Sequence, residues 1–562
     1  MEYTLKEVSD APIAYGLPKA TANAAGRKES FLSGFVRFSW FILFLFSILQ
    51  LGIFWSLDNA IAVVTVAFAW LVLTKFILRS GVLATYPISG FLIIGFTLTQ
   101  FYFPLLFTLL EGKPIIHNMD LPIEVFMHSS AALIVLVAAH LVYRSFERTN
   151  RNRPRSLLVK AGFFIPPNDR QLWIMGFLGL ASMFYVYFYS PSVGREVSGA
   201  GDKFIQGLIA FSYAPFFIPF RRLYGKKEGN LKRIIPLLVI FTILLFAVSL
   251  GRNSRGAFML GFTSVGFTFG LGLLLGIIRT RLFTVRNVFI AAMGLWFFTG
   301  PLADIATAMV LVRGLRDDIP RTELIALTLE AYQDKEAIRL YRLAGITQER
   351  EWDEQYMDNL FLARFSNLKY NDASLVEASK LCEIDPSLFD FTIDRFWATL
   401  PQPAINVLGL NLDKSVVTSY SFGDYLHYKA GAGPGALGGF RTGHFAGTGM
   451  AAFGYWYLLL LGVGMLPVYW MFDKLKILKR SDESAGNTKE PLFSFCGLLG
   501  LTTAFRFLPA ESVIEPFEFL LRGFLQMLLL YFLVFHITRY LSILLPGIVS
   551  TRVVRRSRFT AP

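Results

Sequence analysis

FLSGFVRFSWFILFLFSILQLGIF (31–54) carries a single charged residue, Arg37, in 24 positions. A helix rises about 1.5 Å per residue, so a run of this length crosses the roughly 30 Å hydrocarbon core of a bilayer. In water it would expose aromatic and aliphatic surface on every side. It reads as a membrane-spanning helix. Eleven further runs repeat the pattern, near 58–76, 82–110, 123–145, 171–190, 204–220, 234–250, 257–278, 287–311, 445–471, 492–509 and 519–545. The third is long enough to tilt or break, with Pro87 and Pro104 inside it. Over the 562 residues, 54% are hydrophobic and only 17% charged, against about 25% charged in a soluble domain. That balance excludes intrinsic disorder, and nucleic-acid binding as a primary role. The fold class is an all-α polytopic membrane protein with about twelve transmembrane helices.

The net charge of +14 is explained by where it sits. With the N-terminus cytoplasmic, seven segments fall on the cytoplasmic side: 1–30, 75–81, 144–170, 221–233, 279–286, 472–490 and 539–562. They hold 32 Lys and Arg residues. The short loops on the other face, 55–57, 111–122, 191–203, 251–256 and 510–518, hold 5. Every alternate loop obeys the positive-inside rule, which places both termini in the cytoplasm. Some 30 polar residues precede the first apolar run, so that run reads as a signal-anchor and not a cleaved leader.

The chain thus divides into a cytoplasmic tail (1–30), spans 1–9 (31–311), a large outer-face segment (312–443), spans 10–12 (444–545) and a basic cytoplasmic tail (546–562). The outer segment between spans 9 and 10 has 14 basic and 19 acidic residues, opposite in sign to the rest. TELIALTLEAYQDKEAIRLYRL and EQYMDNLFLARFSNL alternate polar and apolar residues near the helical period, which predicts amphipathic helices. GAGPGALGG (431–439) follows as a lid or a close-packed turn.

Few residues could carry chemistry. Cys382 lies in the polar segment and Cys496 in an apolar run, so no disulfide is expected, and no Cys/His pattern suggests a metal. There is no P-loop, no GxSxG elbow, no HExxH and no aspartate cluster for a nucleotide-sugar. No cofactor is expected. SLGRNSRGAF, however, ends span 7 and opens span 8, with Arg252 and Arg255 three apart and so on one helical face. Paired guanidiniums suit a diphosphate, which accepts bidentate hydrogen bonds; lipid head groups are the competing ligand. Arg364, in LARFSNLKYND, lies among apolar residues. Arg506 and Arg522 stand close to Glu511, Glu515 and Glu518, where ion pairing is expected. His444 comes after the glycine-rich approach and at the mouth of span 10, three residues beyond Arg441. A histidine so placed beside arginines has its pKa pushed down and stays a neutral proton acceptor, while the residue taken alone reads first as a structural cap.

Twelve spans, internal termini, an arginine pair with an SRG core at the outer end of span 7 and a large loop between spans 9 and 10 resemble the bacterial O-antigen polymerase and O-antigen ligase superfamily. His444, followed ten residues later by Gly454 and an apolar helix, is similar to the family's loop histidine. The resemblance covers the topology, and specific residues only in 250–258 and 438–465. It implies a metal-independent glycosyltransferase of the bacterial inner membrane that uses undecaprenyl-diphosphate-linked oligosaccharides as donor and acceptor, with membrane lipids and a chain-length regulator as further partners. In that scheme His444 activates the acceptor hydroxyl and Arg255 acts with it. Arg252, Arg255, Arg364 and Arg441 hold the diphosphate, Arg364 matching only loosely and Arg441 lacking a clear counterpart. His444 is followed by Phe-Ala where ligases often have a polar residue, which favours a polysaccharide repeat-unit polymerase. The rivals are a ligase to lipid A-core and, in a different class, a transporter, for which Asp304 in span 9 would be the residue to test.

Overall fold

The computed structural model describes residues 19–149, 156–189, 200–227, 229, 231–250, 255–278, 284–312, 315, 319–347, 352–359, 362–381, 384–439, 441–480, 489–501 and 511–544. Among them, ten helices are long and apolar enough to cross a membrane. In chain order we label the helices used below α1 (Lys19–Ile53), α2 (Leu57–Phe76), α3 (Pro87–Leu110), α4 (Pro122–Thr149), α5 (Asp169–Phe188), α6 (Gly201–Tyr224), α7 (Ile235–Leu250), α8 (Arg255–Leu274), α9 (Val285–Thr299) and α10 (Pro301–Leu311). Then follow α11 (Arg321–Gln333), α12 (Lys335–Thr347), α13 (Leu368–Ser379), α14 (Pro386–Ala398), α15 (Phe445–Phe453), α16 (Trp456–Asp473) and α17 (Glu515–Leu544). The apolar faces support the membrane reading: Ile235, Leu237, Val239, Ile240, Ile243 and Leu244 on α7 are all exposed. A soluble bundle would bury such a stripe.

Local sequence sets the helix starts. Ser56 accepts the Asn59 N–H to open α2, and Asn168 accepts that of Gln171 to open α5. Thr284 does the same for α9. These side chains satisfy donors that would otherwise be left bare at a helix start.

Four helices, α2, α3, α4 and α16, pack into one group, while α5, α6, α7, α8 and α17 form a second beside it. In the second group α5 and α6 cross at very short range. A Cβ on Gly179 would lie 2.1 Å from the Ser212 nitrogen, and one on Gly176 would lie 2.4 Å from Pro215. Much of α6 (Ile209–Tyr224) is wound as a 3-10 helix with Pro215 and Pro219 inside, since each proline withholds an N–H from the ordinary ladder.

Several sequence expectations are refined. The long third run breaks at Tyr86, leaving a short helix (Ser80–Thr85) before α3. A π turn over Leu98–Tyr102 widens α3 just ahead of Pro104. The run at 287–311 breaks between Thr299 and Pro301. The tenth run divides at Gly454 into α15 and α16, and only α16 is long enough to span. Loop 472–490 and the start of run 492–509 form a small antiparallel hairpin, β1 (Lys476–Arg480) with β2 (Lys489–Phe493); residues 502–509 lie outside the described set.

The polar segment folds onto one end of the bundle as a cap. Helices α11 and α12 cover the first amphipathic stretch and pack on α10. The second stretch, 354–368, is not the helix that its period predicts. Residues 352–359 run as an extended strap, then a 3-10 turn (Leu362–Phe365) leads into α13. The strap's backbone is claimed from outside: the Asp358 and Asn359 N–H groups donate to the Glu111 carboxylate at 2.9 and 2.8 Å. Those donors are then lost to a helix, and buried Tyr356 locks the strap by donating to the Ile115 carbonyl at 2.5 Å.

Candidate functional site

The glycine-rich approach is a close-packed turn. Gly431, Gly433 and Gly438 take positive φ values of 109°, 74° and 87°, which side-chain-bearing residues rarely adopt. Arg441 closes it: its backbone N–H and its Nη1 reach the buried Asp424 Oδ1 at 3.0 and 3.3 Å, and Nη1 donates to the Ala436 carbonyl at 2.7 Å. Arg441 thereby holds the turn through its backbone N–H and Nη1.

Three residues on, His444 has extended backbone and caps α15. Its Nδ1 accepts the Ala446 N–H at 3.3 Å, and the ring is 1% exposed. On the other side Nε2 lies 3.2 Å from the side-chain amide of Gln100, in the π turn of α3. Because Nδ1 accepts, the neutral ring carries its proton on Nε2, and Gln100 must turn its Oε1 toward it. Burial, and secondarily His128, lower the His444 pKa to about 3. Burial and the second histidine both act toward the neutral form of the ring.

Gln100 opens a chain of polar side chains. Its amide is 3.5 Å from Ser129 Oγ on α4, and Asn371 Nδ2 on α13 donates to the same hydroxyl at 3.0 Å. Next to Ser129 in the chain, His128 Nδ1 pairs with Tyr457 Oη at 2.7 Å while its ring stacks on Tyr455. The cap is held here by Asp372, fully buried, which accepts the Asp120 and Leu121 N–H groups at the start of α4 (3.0 and 2.8 Å) and Lys369 Nζ at 2.8 Å. A carboxylate at a helix N-terminus meets unpaired donors and the positive end of the dipole. Contact between α13 and α15 depends on Gly447, where a Cβ would sit 2.3 Å from the Ser374 carbonyl. Among the described residues, three buried polar atoms on this side have no hydrogen-bond partner: Ser366 Oγ, Asn371 Oδ1 and Ser374 Oγ.

Of the four arginines that the resemblance singles out, the structure describes the side chains of Arg441, in the turn, and Arg364. Arg364 is exposed at the end of the 3-10 turn and not on an amphipathic helix. Arg255 is the first residue of α8, and its side chain, like all of Arg252, lies outside the described residues; so do Arg506 and Cys382. Near the carboxylates of Glu511, Glu515 and Glu518 the cation whose field is felt is Arg395 from the cap. The expected partner Arg522 instead donates from Nε to Gln526 at 3.3 Å. Asp304 is paired at 2.9 Å with Lys335 of the cap, which removes it as a solitary intramembrane charge. Among the described residues no group of three or more His, Cys, Asp or Glu is placed to hold a metal ion.

Sequence reasoning missed Gln100, Ser129, Asn371 and Asp372, and also a second polar cluster at the opposite end of the same helices. There Ser89 Oγ donates to Asp473 Oδ2 at 2.6 Å and lies 3.0 Å from His140 Nε2, while Tyr143 Oη donates to Asp473 at 3.1 Å. Serine is the hub, so this is not the serine–histidine–carboxylate relay of nucleophilic catalysis, in which histidine lies between the other two. Comparison with protein-family models, with curated proteins and with solved structures finds no match to this chain.

Proposed function

We propose that this membrane protein transfers a lipid-linked glycan to a hydroxyl of an incoming lipid-linked unit, as a polysaccharide repeat-unit polymerase, with the junction of α3, α4, α13 and α15 as its acceptor site. One observation carries the reading: three unmatched buried polar atoms on and beside α13, close to His444, at the membrane face under a folded cap. Buried polar atoms are nearly always paired in native structures, so a cluster of orphans suits a hydroxyl-rich ligand with an apolar tail. In the reaction the acceptor oxygen bonds to the anomeric carbon of the donor, the bond to the diphosphate breaks and the diphosphate leaves with the electron pair. The acceptor's proton goes to a base, for which His444 is the candidate, and Arg252, Arg255 and Arg364 are the candidates to receive the diphosphate.

The hydrogen bonds of His444 constrain that role. Its lone pair is already used by Ala446 N–H, so action as a base costs the α15 cap. Substitution separates the two duties. His444→Asn keeps an oxygen for the cap, asparagine being a good N-cap, but has no basic nitrogen. Purified protein in nanodiscs, given the lipid-linked repeat unit of its own host, should produce a ladder of multiples on a gel. His444→Asn should leave thermal stability nearly unchanged and slow the ladder by about 10²–10⁴, the range for a lost general base. A full-rate ladder from that variant would reduce His444 to a cap, and the absence of any ladder from the unaltered protein would refute the polymerase.

A further inference from the structure

Helix α16 carries an exposed apolar stripe of Trp456 (71%), Leu459, Val463 and Trp470, at spacings of three, four and seven residues. Those spacings lie on one helical face, and in a span such a face meets lipid. Tryptophan and tyrosine at a span's end mark the level of the head groups, so Trp456 and the neighbouring Tyr455, 65% exposed, fix that level at the cap-bearing end of α16.

The cap continues the stripe. The Asp385 N–H donates to the Ala451 carbonyl at 2.9 Å, joining the start of α14 to the end of α15. The Phe389 ring packs edge-on against Phe453 at 5.4 Å. Ile384 Cδ1 comes within 3.3 Å of where a Cβ on Gly454 would stand, directly before Tyr455. Yet Ile384 and Phe389 remain 51% and 41% exposed. Two large apolar side chains are thus held against the end of α15, directly before the aromatic residues that open α16, and stay exposed.

We infer that this edge of the cap, Ile384 and the α14 face bearing Phe389, is seated in the bilayer at the boundary between head groups and acyl chains. The occupant is lipid, because the surface is continuous with the lipid-facing stripe of α16. The attraction is apolar and not electrostatic: Asp390 and Asp394 share α14 and give no preference for anionic head groups. Burial of apolar side chains to this shallow depth is how interfacial helices bind membranes. The seat would hold the cap at a fixed depth over the polar junction. It stands whether or not the transfer reading does.

The test uses the full chain in phosphatidylcholine nanodiscs. Cys382→Ser leaves buried Cys496 as the one native cysteine, and an environment-sensitive NBD label is placed at Phe389→Cys, at Ile384→Cys or, as a water-facing reference, at exposed Asn411→Cys. Labels at 384 and 389 should emit to the blue of the label at 411 and lose intensity in lipids brominated along the acyl chains, while the label at 411 does not. Emission matching the reference at both positions would overturn the seat. A blue shift without quenching by brominated lipid would also overturn it, assigning the face to a protein partner. Two positions guard against one label disturbing the fold, and an unchanged thermal midpoint identifies the intact variants.

Discussion

A buried aspartate from another helix meets α4 near each of its ends, and the two are held differently. At the cap end Asp372 reaches in from α13, a different part of the chain, and accepts two backbone N–H groups of the α4 start as well as Lys369 Nζ. At the other end Asp473 belongs to a spanning helix and is held by the hydroxyls of Ser89 and Tyr143. The first is a clamp that fastens an outside segment to the bundle with charge-assisted bonds. The second is a seam between helices that already pack through apolar contacts. Each cluster leaves one unmatched atom among its bonded members, Asn371 Oδ1 at the junction and His140 Nδ1 at the seam, and the junction has Ser366 Oγ and Ser374 Oγ beside it as well.

If that contrast is right, the two aspartates respond unequally. Asp372→Ala leaves Lys369 buried and two helix N–H groups bare, and removing one partner of a buried ion pair costs about 3–5 kcal/mol. The cap should detach, seen as rapid proteolysis within 312–443 while the spans stay protected. Asp473→Asn retains an acceptor for Ser89 and Tyr143 and should cost no more than about 1 kcal/mol, the net worth of an ordinary hydrogen bond. Equal losses in the two variants would break the comparison.

A second test works through shape. Gly447→Ala puts a methyl group 2.3 Å from the Ser374 backbone, where nothing flexible can yield. Overpacking of this kind costs about 1–3 kcal/mol and should push α13 away from α15. It should therefore raise cap proteolysis and lower transfer activity together. Gly266→Ala, on α8 with open space around its Cβ, is the matched control. Restricting the glycine's backbone should leave it neutral or slightly stabilised.

How much of this was legible in the sequence follows from the same contrast. Spans answer to hydropathy alone, and ten runs reappear as helices of spanning length. The breaks at Tyr86 and Gly300 lie beside prolines and could be anticipated. The division at Gly454 follows from a positive φ of 56°, for which an apolar run gives no sign. Helix α13 was the hardest element to read. Lys369, Asn371, Asp372, Ser374 and Glu377 are polar residues spread round the helix that would ordinarily face water, yet all are buried. Asn371 and Asp372 find their partners about 250 residues away, at Ser129 and at the start of α4, and single-sequence periodicity carries no such pairing. His444 was correctly located at a helix mouth, and the cap function weighed there is the one its geometry displays. The arginine grouping rests on the resemblance alone.

The smallest effect tests whether the junction extends toward α17. Glu511 is half-buried, its carbonyl accepts Thr448 Oγ1 of α15 at 2.8 Å, and burial pushes its pKa up to about 7 from an ordinary 4.5, against the opposing pull of Arg395. A carboxyl whose pKa is raised on folding binds its proton more tightly in the native state. Its stabilising contribution is complete below pH 4.5 and is lost as pH rises through about 7. Glu511→Gln is permanently neutral and can still accept the Phe422 N–H. It should match the unaltered protein near pH 5 and exceed it by about 1 kcal/mol at pH 8, less than the full linkage value because the site is partly wetted. Thermal midpoints of both proteins across that range decide it. Parallel curves would mean that Glu511 is ionised in the native state and that Arg395 outweighs burial, so that the ion pairing expected there is supplied by the cap after all.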